Sequence, residues 1–276
     1  MPKLSIITIN YNNLEGLKRT VESVVNQTWK EFEYIVIDGS STDGSAAYLE
    51  SQSDIIDYWV SEPDNGIYNA MNKGFMKATG EYLLFLNSGD HFYSDNVLQK
   101  NHKFLVEKDL VYFNLNFVDK ANSRISKYPE RLAFSHFIHG SLPHPATFIK
   151  KQLFEIVGPY DEGFEIISDW KFFILALFKY NCSYYKVEET LTTFYLDGIS
   201  SKFDFSDERN KVLKEYFSGF ISDYKELVLI SPLMKTNRYK MLSEIESSLF
   251  GKKIVSLFFR AYIIVLSKKK LEDVLK

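Results

Sequence analysis

One cysteine, Cys182, stands in 276 residues, so no internal disulfide can form. A chain of this length buries enough of its surface to fold without covalent or metal staples. The cysteine count also suits a reducing compartment. Lys and Arg total 33 against 36 Asp and Glu, a formal net charge of −3, so the broad basic excess of a nucleic-acid binder is missing. No run reaches the roughly 20 apolar residues of a membrane-spanning helix. The first apolar run, Leu4–Ile9, is too short for a signal h-region and breaks at Asn10-Tyr11-Asn12-Asn13. A cytoplasmic protein is therefore expected. No internal repeat or low-complexity stretch is visible. After the first strand there is no Gly-x-Gly-x-x-Gly, which argues against a dinucleotide oxidoreductase.

The first half alternates two periodicities. Leu4–Ile9, Phe32–Ile37, Ile55–Val60 and Tyr82–Leu86 read as strands, several of them apolar throughout, as expected of strands buried on both faces. Leu14–Val25, Ser45–Leu49 and Ile67–Ala78 read as helices between them. This order predicts an α/β fold with a mostly parallel sheet flanked by helices, binding its ligand beyond the C-terminal strand ends. The second half is less regular. Leu110–Phe117, a turn and strand over Pro143–Ile149, Tyr184–Val187 and Leu191–Tyr195 are strand candidates, and Lys151–Val157 and Asp169–Lys179 helices. Beyond Ser201 only helices are expected, over Asp207–Ile221, Pro232–Leu249 and Lys252–Lys270, with a domain boundary near Phe203.

The polar clusters fall at the strand ends. The first strand runs into Thr8, Asn10 and Tyr11, the second into Asp38-Gly39-Ser40-Ser41-Thr42-Asp43-Gly44, and the fourth into Asn87-Ser88-Gly89-Asp90. Asp38 can accept hydrogen bonds from a nucleobase imide or ribose hydroxyls. Asp43 reads instead as a helix cap. Asp90 can give a hard cation a carboxylate oxygen, with phosphates and water completing the shell. A turn aspartate without a ligand is the alternative.

In order and spacing, these stretches resemble the family 2 inverting glycosyltransferases of the GT-A fold. The likeness covers about residues 3–200, through LSIITINYNNLEGLKRTVESVVNQTWKEFEYIVIDGSSTDGS, DNGIYNAMNKGFMKATGEYLLFLNSGD and HPATFIKKQLFEIVGPYDEGFEIISDWKFFILAL. It implies a GT-A domain over 1–203, with a nucleotide-binding part to about 100, an acceptor part after it, and a C-terminal helical region over 204–276. By resemblance, Thr8, Asn10 and Tyr11 would line the nucleotide pocket and Asp38 would contact the base, usually uracil. Asn69, Asn72 and Lys73 would border the diphosphate and sugar, beside Ser88 and Gly89. Asp90 would bind Mn²⁺ or Mg²⁺, and Asp169 would be the catalytic base, although an aspartate there also suits a helix N-cap. His144 would serve the acceptor side or the cation, or be a buried structural histidine. His139 shares that ambiguity, whereas His91, His102 and His136 read as structural or surface residues. The Phe194–Ser200 loop, with Gly198 as a hinge, would close over the donor or simply link domains.

One departure is informative. The family carries an Asp-rich Asp-X-Asp-type motif where this chain has Asn87-Ser88-Gly89-Asp90, so a single carboxylate remains. The function implied is transfer of one sugar from a nucleoside-diphosphate donor, usually a UDP-sugar, to a glycan or lipid-linked acceptor in polysaccharide biosynthesis. The alternative is a non-catalytic nucleotide-sugar or glycan-binding protein of the same fold. The segment Ile254–Leu266, at about 1.5 Å per residue, extends ~20 Å, short of the ~30 Å hydrocarbon core. Flanking lysines at 252–253 and 268–270 suit an anionic membrane interface on the cytoplasmic side. Packing on the catalytic domain, or on a second subunit of a homo-oligomer, is the alternative.

Overall fold

The computed structural model of the chain describes residues 2–119, 122–196 and 205–265. The expected boundary at Phe203, the Gly198 hinge and lysines 268–270 fall outside the described residues. The chain forms two compact units, residues 1–212 and 213–276.

In the first unit, β1 (Leu4–Asn10), β2 (Phe32–Asp38), β3 (Tyr58–Ser61) and β4 (Tyr82–Phe85) alternate with α1 (Leu14–Val25), α2 (Ser45–Ser51) and α3 (Ile67–Lys77). The strands pair in parallel in the order β3-β2-β1-β4, and β1, in the middle, is buried along its whole length. Asn10 pairs with Asp38 and Asp38 with Ser61, so three strands end level at one edge. Strand β3 begins at Tyr58 rather than at Ile55. One residue earlier, the Asp57 carboxylate accepts the Tyr34 amide (2.7 Å), a side chain standing in for the ladder.

The sheet continues through antiparallel joins. β8 (Thr147–Lys150) pairs with β4, β6 (Leu110–Asp119) with β8, and β9 (Tyr184–Tyr195) runs parallel to β6. The short β5 (His91–Phe92) closes on β9, and β7 (Asn122–Ser126) pairs with β6. Short helices α4 (Val97–Asn101), α5 (Phe134–His139) and α6 (Leu153–Val157) precede α7 (Ser168–Phe178). The two strands expected over 184–195 are one. β9 takes six steps, Lys186 to Thr192, where β6 takes three, Tyr112 to Leu115, and the excess bulges out. At the start of this bulge stands the buried Lys186, whose Nζ donates to Asn114 Oδ1 (2.8 Å) and the Val187 carbonyl (2.5 Å). Burial lowers the pKa of that ammonium, opposed by nearby Glu188.

Helix α1 turns Leu17, Val21 and Val24 into the core and is capped by Asn13, whose Oδ1 accepts the Gly16 amide. Helix α3 lies close on β1 through Gly74, where an added Cβ would collide with the Ile7 Cγ2 methyl. At the C-terminal end, α8 (Ser206–Met234) breaks its helical geometry at Phe217 and contains Pro232. α9 (Asn237–Ile245) opens at Thr236, not at Pro232, because the Thr236 hydroxyl accepts the Tyr239 amide (3.1 Å). α10 (Leu249–Val265) leaves Leu249, Phe250, Leu257 and Phe258 exposed. Among the described residues no helix is long and apolar enough to cross a membrane.

The Gly74 contact generates a test. Gly74→Val should lower the unfolding free energy by about 1–3 kcal/mol, since the new branch must push α3 off Ile7. Urea denaturation measures it, and an unchanged midpoint would show that the helix shifts freely.

Candidate active site

The level strand ends are joined by one carboxylate. Asp38 is fully buried, and its Oδ1 accepts Asn10 Nδ2 (2.7 Å) and Ser41 Oγ (2.6 Å). Its Oδ2 accepts the Ser41 amide (2.9 Å) and Ser61 Oγ (2.6 Å). A ligand reaches this group only by displacing one of the serine hydroxyls. Asn10 Oδ1, also buried, accepts nothing among the described residues. Tyr11 stands at the mouth with 68% of its surface exposed, a free ring face. Gly39 lies between that ring and Asp64. A Cβ there would meet Asp64 Oδ2 at 2.5 Å and Tyr11 Cδ2 at 3.2 Å. Thr8 is placed beneath the edge rather than on it. Its hydroxyl is spent on the Leu86 carbonyl (2.7 Å) and Tyr34 Oη (3.1 Å), inside the core. Asp43 is not the cap of α2, which is Gly44 and makes no side-chain cap bond; its Oδ2 accepts the Leu14 amide (2.8 Å), and its Oδ1 the Ser45 amide (3.1 Å) and hydroxyl (2.7 Å).

The turn after β4 reaches the same edge. The Ser88 amide donates to the Ile9 carbonyl (3.0 Å), and Asn13 Nδ2 to the Ser88 carbonyl (3.2 Å). Gly89 has φ +109°, a left-handed conformation that favours glycine, and donates its amide to Thr20 Oγ1 (3.0 Å). Asp90 is 7% exposed, and its amide bonds the Asn87 carbonyl (3.0 Å), which closes the turn. Among the described residues no three His, Cys, Asp or Glu side chains group as a metal site. The oxygens present still fit Mg²⁺ or Mn²⁺. Asn87 Oδ1 is a buried hard acceptor without a partner among the described residues, three residues before Asp90 in the same turn, and diphosphate and water can complete such a shell.

Asp169 lies in the first turn of α7, but it is not the cap, which is Ile167 and makes no side-chain cap bond. The Tyr68 hydroxyl, on the first turn of α3, bonds Asp169 Oδ1 (2.9 Å) and the Ile166 carbonyl. Asp169 Oδ2 makes no hydrogen bond among the described residues. A chain of contacts links this carboxylate to the strand edge. Asp64, which abuts Gly39, accepts the Gly66 amide (3.0 Å), and Tyr68 follows two residues later.

The α3 residues expected at the diphosphate are engaged with protein here. Asn72 Nδ2 donates to the Tyr160 carbonyl (2.8 Å) and Glu162 Oε1 (2.9 Å), while its Oδ1 accepts the Tyr160 amide (3.0 Å). Asn69 Nδ2 donates to Glu162 Oε2 (2.9 Å). Lys73 pairs with Glu62 (2.8 Å) and the Pro63 carbonyl (2.8 Å). These bonds dock the 160–162 loop on α3 and so fix where α7 begins.

His144 is buried, stacked on Phe85 (5.2 Å between ring centres) and bonded through Nε2 to Tyr160 Oη (2.9 Å). Burial lowers its pKa, opposed by Asp169. It belongs to the aromatic wall behind Asp169 rather than to an open acceptor surface.

Residues 5–162 match the model of Glycosyl transferase family 2, and the chain belongs to that family. Asp169 lies just beyond the matched span. Over 180 residues the chain is 38% identical to the uncharacterized glycosyltransferase Rv1514c of Mycobacterium tuberculosis, covering 63% of this chain and 69% of that one. It is 27% identical to TuaG of Bacillus subtilis, a putative teichuronic acid biosynthesis glycosyltransferase, over 72% of this chain and 82% of that one. Among solved structures, S. aureus TarS 1–349 in complex with UDP-GlcNAc superposes with a TM-score of 0.63 at 16% identity, covering 98% of this chain and 77% of that one. That likeness carries the GT-A-like fold.

Sequence reasoning passed over Tyr68, Asp64, Glu162 and Arg209. Tyr68 sits where a helical stripe calls for a core aromatic, and the acidic pair sits in loop positions of the matching stretches to which no role was given.

Asp38→Ala should cost about 3 kcal/mol of stability, because the donors of Asn10, Ser41 and Ser61 lose their shared acceptor. Chemical denaturation reads this out, and a loss below the experimental scatter would remove Asp38 as the hub. His144 offers a pH test. A folded pKa held below the ordinary 6.5 means that the unfolded chain binds the proton more readily. Stability from this group is therefore present above about pH 6.5 and lost as pH falls below it. Relative to His144→Asn, the native protein should show the steeper loss of melting temperature between pH 7.5 and about 5.5.

Proposed function

We propose that the protein moves one sugar from a nucleoside-diphosphate donor, a UDP-sugar, to a glycan or lipid-linked acceptor, with inversion at the anomeric carbon and Asp169 as base. The observation that carries this reading is the state of Asp169. One carboxylate oxygen is fixed by Tyr68 and the other is left without a hydrogen bond among the described residues. A structural aspartate would spend both oxygens on caps or ion pairs. A general base needs one oxygen aimed and available.

The acceptor hydroxyl gives its proton to Asp169 Oδ2 as its oxygen bonds to the anomeric carbon, and the bond from that carbon to the diphosphate breaks. Asn69, Asn72 and Glu162 hold the base in register with α3. Tyr11 offers a stacking face for the base of the nucleotide, and the Asp38 pocket offers serine hydroxyls and the Asn10 oxygen for its polar edge. Mn²⁺ or Mg²⁺ would be held by Asp90 with Asn87, and when bound supplies positive charge against the diphosphate. The teichuronic acid role in the name of TuaG supports a polysaccharide product, and the TarS complex supports a UDP-sugar donor. The exposed apolar side chains of α10, beside Lys252, Lys253 and Arg260, support contact with an anionic membrane on its cytoplasmic face.

The second reading, a binder without turnover, draws on the single carboxylate at the β4 turn. A screen of nucleotide sugars with Mn²⁺, reading released nucleoside diphosphate, separates the two. Asp169→Asn should keep its affinity for UDP while turnover falls by about 10²-fold or more. Near-native turnover in that variant would take Asp169 out of the mechanism.

A further inference from the structure

Beside Asp169 lies a cation that the site so far leaves unused. Arg209, in the opening turn of α8, is half-buried, with its guanidinium over the Trp170 ring (5.1 Å to the centroid) and the Phe205 ring (5.5 Å). Trp170 is itself pinned, donating Nε1–H to the Phe137 carbonyl (2.9 Å). Among the described residues the Arg209 guanidinium makes no hydrogen bond and no ion pair, and its Nε is buried without an acceptor. Burial lowers its pKa, while the Asp169 carboxylate opposes that shift, so Asp169 lies within electrostatic reach although the two form no ion pair. The preceding residue behaves differently. Glu208 spends Oε1 on the Glu165 amide (3.0 Å) and leaves Oε2 buried and unpaired.

A buried guanidinium N–H without an acceptor is costly, and the Trp170 and Phe205 rings attract the charge without supplying that acceptor. The two rings help to position the fork rather than to satisfy it. Such a fork matches the oxygens of a phosphate, to which it bonds in a bidentate manner. Position decides which phosphate. In a displacement with inversion the base and the leaving diphosphate lie on opposite faces of the sugar, so a cation next to the base faces the acceptor. The negative Asp169 alone would repel an anionic acceptor, and a cation beside it removes that penalty.

We propose that Arg209 forms an acceptor subsite for a phosphate ester, placing a phosphorylated acceptor so that its free hydroxyl meets Asp169. This rests on the reading of Asp169 as base only for which substrate the subsite serves. The phosphate can belong to a lipid carrier or to the glycan itself.

The test is a binding measurement that needs no turnover. With UDP and Mn²⁺ saturating the donor side, the protein is titrated calorimetrically with three probes: geranyl-diphosphate-linked N-acetylglucosamine, N-acetylglucosamine 1-phosphate, and neutral octyl N-acetylglucosaminide. The native protein should bind at least one phosphorylated probe more tightly than the neutral one. Arg209→Gln should weaken that binding about tenfold or more and leave UDP and the neutral probe unaffected. Arg209→Lys, which keeps charge but not the fork, should recover part of it. Preference for the geranyl probe assigns the phosphate to a lipid carrier, and equal binding of both assigns it to the glycan. Equal affinity of the native protein for neutral and phosphorylated probes, or unchanged affinity in Arg209→Gln, would overturn the subsite. A protein that binds these probes but releases no nucleoside diphosphate from any donor would leave the subsite standing and remove the transferase reading.

Discussion

The architecture turns on a buried carboxylate at the point where three parallel strands stop. Asp38 accepts four hydrogen bonds, from Asn10, from Ser61, and from both the amide and the hydroxyl of Ser41. Parallel strands end in unpaired backbone groups, and their loops diverge unless something ties them. Here the tie is a carboxylate held by four neutral donors, with no ion pair among the described residues. Everything that approaches the edge from above does so over a floor fixed at this one residue.

The second fixed point is the docking of α3 against the loop that leads into α7. Asn72 reads both sides of that loop, through the Tyr160 amide and carbonyl, and shares Glu162 with Asn69. The aromatic wall of Phe85, Tyr160 and His144 supports it from behind. One short helix thus faces the strand edge at its start and the base at its first turn. The geometry between donor side and acceptor side is set by its rigidity.

Much of this was legible in the residues. The alternation of apolar strands and amphipathic helices fixed the order and direction of β1 to β4, and β1, β2, α1 and α3 begin and end within a residue or so of their expected limits. Polar clusters at strand ends pointed to the right edge. The second half was harder for physical reasons. A bulge that hides three extra residues in β9 looks, in sequence, like two strands with a turn at Glu188 and Glu189. The two-residue β5 is too short to show any period. Individual roles were less visible than location. Thr8 alternates correctly for an edge residue, yet its hydroxyl finds the Leu86 carbonyl across the sheet. Tyr68 reads as core because its ring is core, and only its oxygen reaches Asp169. Arg209 lies outside every motif, in a helix that sequence assigned to a separate region.

The close seat of Gly74 on Ile7 has a wider meaning. The strand that ends at Asn10 and the helix that aims Tyr68 are separated by little more than a methyl group. Interiors so tightly filled pass small displacements on instead of absorbing them. Side-chain size at Ile7, a residue out of reach of any ligand, therefore sets the spacing between the strand edge and Tyr68 and hence the alignment of the two halves of the cleft. Drift in that alignment across related chains would then be recorded in their cores before it shows on their surfaces.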